Sequence, residues 1–305
     1  MLVLLLALMS CPARDDASSA APTPAHPDST LSFLVIGDWG MGNQGQKRVA
    51  QQMAKLAKQY QPRFVISSGD NFYQEGVTSV RDKKWHSHFE TVYSDASLQI
   101  PWYAVLGNHD YLGNVKAQME YSSRSDRWNM PAHYYAVGYR VGGDSVLIAF
   151  LDTNPFVTSY RRNAKYNAAL KSVSRTEQLS WLQNLLQSSN AKFKFVVGHH
   201  PVYSSDIQHG DTPELIERLL PVLTQGGVDV YFSGHAHNLE VLSREGVTFV
   251  ISGAGAETRK TRRHKFSQFV SSQLGVVVTR LTSANIELRF VNAKGNTLYT
   301  SLLAQ

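Results

Sequence analysis

The chain has 305 residues, of which 43% are hydrophobic and 18% are charged, so it can bury a core of one large domain or two small ones. Its single cysteine, Cys11, excludes an internal disulfide and a zinc site built from thiolates. A net charge of +6 attracts anions in general, but it does not choose between phosphate esters, nucleic acid and acidic membranes.

The N-terminal segment differs in composition from the rest of the chain. Residues 1–11 (MLVLLLALMSC) form an apolar stretch of signal-peptide length, too short to span a membrane. Its end resembles the lipobox of bacterial lipoproteins, in which Cys11 carries the lipid. An ordinary secretory signal is the alternative. Residues 12–30 are rich in Ala, Pro, Ser and Asp and are predicted to be a flexible tether, so the folded domain is expected over 31–305.

Strands and helices alternate in the first part of this domain. Residues 31–36 and 63–68 are predicted strands, and the apolar period of residues 46–60 predicts a helix between them. Residues 80–95 have a helical stripe of large apolar side chains. Residues 100–106 are a third predicted strand.

The second part begins with a predicted strand at 146–152 and a polar loop at 153–172. Ser174 and Glu177 have capping-box spacing and predict a helix, and a later helix that starts at Pro213 is expected to kink at Pro221. Four further strands are predicted, at 248–253, 275–281, 284–291 and 297–303. This order predicts an α/β protein (α+β by strict class), a four-layer αββα sandwich of two mixed sheets flanked by helices.

Five short apolar runs each end in glycine and a residue that can bind a metal. The carboxyl ends of such buried strands are expected to share one edge, where α/β folds bind ligands. Carboxylate and amide oxygens mixed with imidazoles favour a pair of first-row metals over calcium. The pattern therefore predicts a two-metal hydrolase, with candidate residues Asp38, Asp70, Asn108, His109, His199, His235 and His237.

In order along the chain, Asp-x-Gly, Gly-Asp-x-x-Tyr, Gly-Asn-His-Asp, Gly-His and Gly-His-x-His resemble the motifs of the calcineurin-like metallophosphoesterases. Tyr73 narrows the resemblance to the purple acid phosphatases. Segments at 128–131, 151–153, 178–182 and 252–255 are similar to the small tartrate-resistant acid phosphatase type, so the resemblance covers residues 31–305.

The resemblance implies a set of ligands for two metal ions. The first site would hold Fe(III), and the second would hold Fe(II), Mn(II) or Zn(II), with Asp70 bridging the ions. The implied ligands of the first site are Asp38, Asp70, Tyr73 and His237; those of the second are Asn108, His199 and His235.

The implied activity is acid phosphatase hydrolysis of phosphomonoesters. A metal pair can ionise a bound water, whose hydroxide would attack phosphorus, and His109 is the expected proton donor to the leaving group. His209 matches a second substrate-facing histidine. The alternatives are a phosphodiesterase or nucleotide hydrolase on the same metals, and a non-enzymatic, metal-dependent surface-binding protein.

The expected substrate is a small phosphomonoester or a phosphoprotein, and the expected oligomeric state is a monomer. No nucleic-acid partner is expected, because the basic cluster at 259–265 lacks interleaved aromatic residues. Export follows from residues 1–11, with the protein either anchored to a bacterial membrane through a lipid on Cys11 or released as a secreted or periplasmic protein.

Overall fold

The computed structural model describes residues 29–171 and 173–304. The predicted signal segment, Cys11 and nearly all of the predicted tether therefore lie outside the described residues. The strands of the described part are β1 (Thr30–Ile36), β2 (Phe64–Ser67), β3 (Trp102–Ala104), β4 (Trp128–Asn129), β5 (Tyr135–Val141), β6 (Asp144–Phe150), β7 (Phe193–Val197), β8 (Val230–Ser233), β9 (Leu239–Arg244), β10 (Val247–Ser252), β11 (Ser267–Ser271), β12 (Gly275–Thr282), β13 (Asn285–Asn292) and β14 (Thr297–Ala304).

These strands form two seven-stranded sheets. The first has the order β14-β13-β12-β1-β2-β3-β4, and the second has the order β11-β9-β10-β8-β7-β6-β5. Both are mixed: β1 to β4 run parallel, as do β6, β7, β8 and β10, while the remaining strands pair antiparallel with their neighbours. The Phe33 ring of β1 lies 5.9 Å from the rings of Phe195 and Phe232 in the second sheet. The predicted two-sheet sandwich is confirmed.

Helices cover the outer faces and link the strands: α1 (Gln44–Tyr60), α2 (Val115–Tyr121), α3 (Thr158–Arg162), α4 (Ala164–Leu170), α5 (Arg175–Ser188), α6 (Pro213–Arg218) and α7 (Leu220–Gln225). The Asn43 side chain caps α1 by accepting the Gln46 N–H at 2.9 Å. Ser174 caps α5 in the same way through Glu177, as predicted. The break between α6 and α7 falls beside Pro221, where the kink was expected.

The helix predicted over 80–95 is wrong in extent. The helical part is short: residues 83–84 lead into a wide π-type turn at Trp85–Glu90, in which Trp85 and Phe89 are buried as predicted. The Trp85 ring lies 5.2 Å from Trp128, and the Phe89 ring lies 5.2 Å from Trp102. Packing both rings into this aromatic cluster takes precedence over regular helical geometry.

The polar loop predicted at 153–172 is also wrong. A 3-10 turn at Asn154–Phe156 leads into α3 and α4. Phe156 is fully buried, and the rings of Tyr160 and Tyr166 stack 4.7 Å apart. Phe156, Tyr160 and Tyr166 are the large side chains that fix these turns, and their spacing shows no helical period. Their tertiary contacts therefore define the turns.

Several predicted elements keep their type and differ only at their ends, and the sequence interpretation missed α2, β4, β5, β9 and β11. In the two described ranges, no helix combines the length and the hydropathy needed to cross a bilayer. The feature that matters for function is the edge at which β1, β2 and β3 of one sheet and β7 and β8 of the other come to an end.

Candidate metal centre

The two sheets supply chemically different side chains to this shared edge. Loops after β1, β2 and β3 carry oxygen ligands, and loops after β7 and β8 carry imidazoles. The oxygen-bearing residues are Asp38, Asp70, Tyr73 and Asn108, and the imidazoles are His199, His235 and His237. All seven are buried, with at most 9% of their surface exposed.

The glycines that end the strands allow these loops to approach closely. A Cβ at Gly107 would lie 2.2 Å from the backbone nitrogen of Asp70. Gly69 has a φ of +93°, and a Cβ there would lie 2.5 Å from Nδ1 of His199. Side chains at either position would force the ligand loops apart, which explains why glycine precedes the ligands.

Three of the ligand positions themselves have left-handed backbone. Asp38, Asp70 and His235 have φ values of 57°, 51° and 66°. Each such residue costs on the order of 1–3 kcal/mol when it is not glycine. The surrounding fold holds this conformation, which turns the three side chains towards one point.

A first cluster of ligand atoms surrounds the phenol oxygen of Tyr73. It lies 2.8 Å from Oδ2 of Asp70, 3.1 Å from Oδ1 of Asp38 and 3.2 Å from Nε2 of His237. Burial, followed by the two carboxylates, raises the pKa of the Tyr73 phenol well above its ordinary value. A phenolate here therefore requires a cation of high charge in contact with its oxygen.

A second cluster lies beside the first. Oδ1 of Asn108 is 3.2 Å from Nε2 of His199 and 3.0 Å from Nδ1 of His235, and the two imidazole nitrogens are 3.3 Å apart. Oδ1 of Asp70 lies 3.6 Å from Nε2 of His199. Asp70 thus reaches both clusters, one with each carboxylate oxygen.

The chemistry of the second cluster fits a metal ion. Nδ1 of His199 lies 2.9 Å from the carbonyl oxygen of Ser68, an acceptor, so Nδ1 carries the proton and Nε2 presents a lone pair. That lone pair faces the amide oxygen of Asn108. Burial, followed by neighbouring histidines, lowers the pKa of His235 well below its ordinary value, which leaves the neutral form that binds metals. Electron pairs converging in this way are stabilised by a cation between them.

His109 lies beside the first cluster. Its backbone N–H donates to Oδ1 of Asp70 at 2.8 Å, and its ring is 4.4 Å from the ring of Tyr73. Nδ1 lies 2.6 Å from the carbonyl oxygen of Gln74, so that nitrogen holds a proton against an acceptor. Nε2 is then the nitrogen available for proton exchange with a substrate.

His209 lies beside the second cluster. It is exposed, and its ring centroid is 4.2 Å from that of His235. The structure therefore brings together every residue that the sequence interpretation selected for this site.

Asp110, which follows the Gly-Asn-His motif, is a buried support that sequence alone left ambiguous. Its carboxylate accepts the backbone N–H groups of Gly107 at 2.8 Å, Asn71 at 3.1 Å and Phe72 at 3.2 Å, and the Gln118 amide at 2.7 Å. It ties the loop after β2 to the loop after β3. The sequence showed Asp110 as part of the motif, but it did not show that N–H donors from two loops meet at its carboxylate.

A second support lies beneath the imidazoles. Oγ1 of Thr153 accepts the N–H groups of His199 and His200 at 3.2 and 3.0 Å, and it lies 2.8 Å from Nδ1 of His200. The hydroxyl of Tyr160 is 3.4 Å from Nε2 of His200. The polar stretch that contains Tyr160 offered no sequence signal for this placement, which depends on the turns formed by α3 and α4.

Comparison with known proteins agrees with the geometry. Residues 31–239 match the family model described as calcineurin-like phosphoesterase. The chain is 37% identical over 298 residues to purple acid phosphatase 17 of Arabidopsis thaliana, covering 90% of this chain and 85% of the relative. It is 34% identical over 328 residues to tartrate-resistant acid phosphatase type 5 of Homo sapiens, covering 99% and 96%.

Solved structures include a similar fold at comparable identity. GAP50, described as the anchor in the inner membrane complex of Plasmodium, superposes with a TM-score of 0.79 and 30% sequence identity. The similarity covers 90% of this chain and 89% of that one.

Proposed function

The chain belongs to the calcineurin-like phosphoesterases and, within them, to the purple acid phosphatases, and on that premise we propose which residues carry out its metal-dependent hydrolysis of phosphomonoesters. The observation that carries the proposal is the pair of ligand clusters that share Asp70. Two separate groups of electron-pair donors joined by one carboxylate are the arrangement that a binuclear centre needs.

We assign the first cluster to iron in its ferric state and the second to a divalent ion, Fe(II), Mn(II) or Zn(II). The phenol of Tyr73 supports the first assignment, because a hard anionic oxygen favours a hard trivalent ion. When bound, the metal pair supplies positive charge that binds the phosphoryl group and activates water. The protein holds the ligands in place through Asp110 and Thr153.

Two histidines beside the ligand clusters contact the substrate. His109 gives a proton from Nε2 to the leaving oxygen, while Gln74 holds its Nδ1. His209 contacts the phosphoryl oxygens from beside His235. We propose that the substrate is a small phosphomonoester or a phosphoprotein and that the enzyme is a monomer.

The first experiment compares three substrates. The full chain is loaded with iron plus zinc or manganese and assayed with an aryl phosphomonoester, a phosphodiester and a nucleoside triphosphate between pH 4 and 9. Fastest turnover of the monoester at acid pH supports an acid phosphatase. Preference for the diester or the triphosphate would reassign the reaction, and inactivity on all three would favour a metal-dependent surface-binding protein.

His109→Ala tests the proton donor. Alkyl phosphates need a proton on their leaving oxygen far more than activated aryl esters do, so their kcat is expected to fall about 10²–10⁴-fold, while that of the activated ester falls much less. His86→Ala, at an exposed position, is the matched control. Equal losses for both substrates would contradict the assignment.

We propose that the chain is exported and held at a bacterial membrane by a lipid on Cys11, because residues 1–11 combine a signal-length apolar stretch with a lipobox-like end. Cys11→Ser is expected to move the protein from the membrane fraction to the soluble fraction, and Ser18→Ala, in the predicted tether, should leave it bound. A Cys11→Ser protein that stays with the membrane would overturn the lipid anchor and leave export by an ordinary signal.

A further inference from the structure

Arg259 is a cation at the edge of the metal centre that the reaction described so far does not use. It follows the turn after β10, and its backbone N–H donates to the carbonyl oxygen of His237 at 2.9 Å. Its guanidinium Nη1 donates to the carbonyl oxygen of His235 at 3.2 Å. Arg259 is therefore attached to the loop that carries two of the proposed metal ligands.

Arg259 and His209 lie against the same proposed ligand. Nη1 of Arg259 donates to the carbonyl oxygen of His235, and the ring centroid of His209 is 4.2 Å from that of His235. The guanidinium is therefore attached to the residue beside which His209 lies.

The guanidinium is only partly satisfied by the protein. Nη1 forms an ion pair with Oδ2 of the buried Asp206 at 3.9 Å, a separation longer than a hydrogen bond. The hydrogen bond to His235 is the one that the guanidinium makes within the described residues. Since arginine presents five N–H donors in a rigid fork, it keeps donors free for an anion.

The backbone that carries Arg259 is held in position. The N–H of Ile207 donates to the carbonyl oxygen of Lys260 at 3.3 Å, and that of Arg262 donates to Ser205 at 2.8 Å. These bonds join the basic segment to the loop that carries His209. The side chain of Arg259 is 24% exposed, so it is reachable by a ligand yet anchored by its surroundings.

We propose that Arg259 is a specificity-determining residue that binds a second anionic group on the substrate, next to the phosphoryl group that reacts. This inference rests on the proposed function. The chemical class that fits is a terminal phosphomonoester of a diphosphate, in which one bridging oxygen places the second phosphate directly beside the first. A guanidinium fork matches two oxygens of that second phosphate.

The reaction on such a substrate is an ordinary hydrolysis. The bond between the terminal phosphorus and the bridging oxygen breaks, and the oxygen of water bonds to that phosphorus. The bridging oxygen leaves with the second phosphate, and the proton lost by water ends on one of the two phosphate products or in solvent. Arg259 stabilises the charge on the departing phosphate and takes no proton.

The first test measures binding without turnover. Calorimetry of the metal-loaded full chain with methylenediphosphonate, which cannot be hydrolysed at its bridge, is compared with inorganic phosphate. Arg259→Gln is expected to weaken the binding of methylenediphosphonate about 10–100-fold and that of phosphate less than about 3-fold. The reason is that a charge-assisted, two-bond contact is lost only for methylenediphosphonate. Arg259→Lys keeps the charge but not the fork and should fall in between.

The second test measures turnover of pyrophosphate and of an aryl phosphomonoester side by side. Arg259→Gln should lower kcat/KM for pyrophosphate at least about 10-fold more than for the aryl ester. Arg262→Gln removes the same charge from an exposed position three residues away and should leave the ratio unchanged. If kcat/KM falls equally for both substrates and the metal content also falls, Arg259 only supports the His235 loop, and the proposal is overturned.

An unchanged ratio in Arg259→Gln would overturn it as well. A wild-type chain that is inactive on the aryl ester would instead show that the proposed function has failed. The two failures are therefore distinguishable in one set of assays.

Discussion

The edge of the first sheet and the edge of the second face each other across the metal centre, and they are supported differently. On the first, the ligand loops are short, and one buried carboxylate, Asp110, accepts donors from two of them. On the second, long loops at 203–211 and 256–266 are locked together through Ser205 and the buried Glu240. The first edge supplies oxygens and the second supplies imidazoles.

This difference separates two tasks. The oxygen edge sets the charge and spacing of the metal pair, because Asp70 belongs to both clusters. The histidine edge supplies the remaining proposed ligands and also carries His209 and Arg259, which we propose meet the substrate together with His109 of the oxygen edge. Changes of the oxygen ligands and their support should therefore remove metals, while changes behind the histidine edge should alter substrate handling or pH dependence.

The largest expected effect comes from Asp70. Asp70→Ala removes a ligand from both clusters, so the bound metal should fall well below two ions per chain and kcat should fall by about 10³-fold or more. Metal analysis and turnover measure the two consequences. Asp126→Ala, at an exposed position, is the control. Retention of both metals would show that the clusters do not depend on a shared carboxylate.

Asp110→Asn tests the support of the oxygen edge without touching a ligand. An amide nitrogen would face the N–H donors of Gly107 and Asn71, so the loops should separate. We expect metal affinity or activity to fall about 10–100-fold, as for other residues that orient ligands. Metal titration followed by turnover at saturating metal checks this, and an unchanged affinity would contradict the bracing role.

Tyr73→Phe should have a smaller effect on catalysis and a large one on colour. A phenolate bound to ferric iron gives the visible charge-transfer band, so its removal should bleach the protein while the fold remains. Absorbance and circular dichroism measure this, with Tyr299→Phe on β14 as the control. A visible band that survives in Tyr73→Phe would remove the ferric phenolate assignment.

The smallest expected effect comes from Glu240, behind the histidine edge. Burial raises the pKa of Glu240 and outweighs the hydrogen bonds from Ser205, Ser267 and Asn238, which lower it. The folded state therefore favours the protonated acid, whose stabilising contribution is present at low pH and is lost as the pH rises through the raised pKa.

Glu240→Gln removes this dependence. The melting temperature of the wild-type chain should rise relative to that of the variant as the pH is lowered from 7 to 5, by about 2 °C. Glu217→Gln, at an exposed position, should show no such trend. A difference between wild type and Glu240→Gln that stays constant across this pH range would contradict the raised pKa.

Local sequence determined much of the site. An apolar run followed by a glycine and a ligand residue is a local pattern that can be recognised in the sequence. The buried strand needs the apolar run, and the close approach of the loops needs the glycine. Gly69 and Gly107 show the second requirement directly, since a side chain at either would meet His199 or Asp70. The ligand types were therefore readable before the fold was known.

Tertiary structure decided what lies around these ligands. The helices at 158–170, the burial of Asp110 and the position of Arg259 over the His235 loop all depend on contacts between segments distant in sequence. Such contacts leave no period in the chain, because each involves a single residue whose partner is chosen by packing. The sequence determined which groups could bind metal, and the packing of the two sheets decided which of them lie beside Asp70 and which cation lies against the His235 loop.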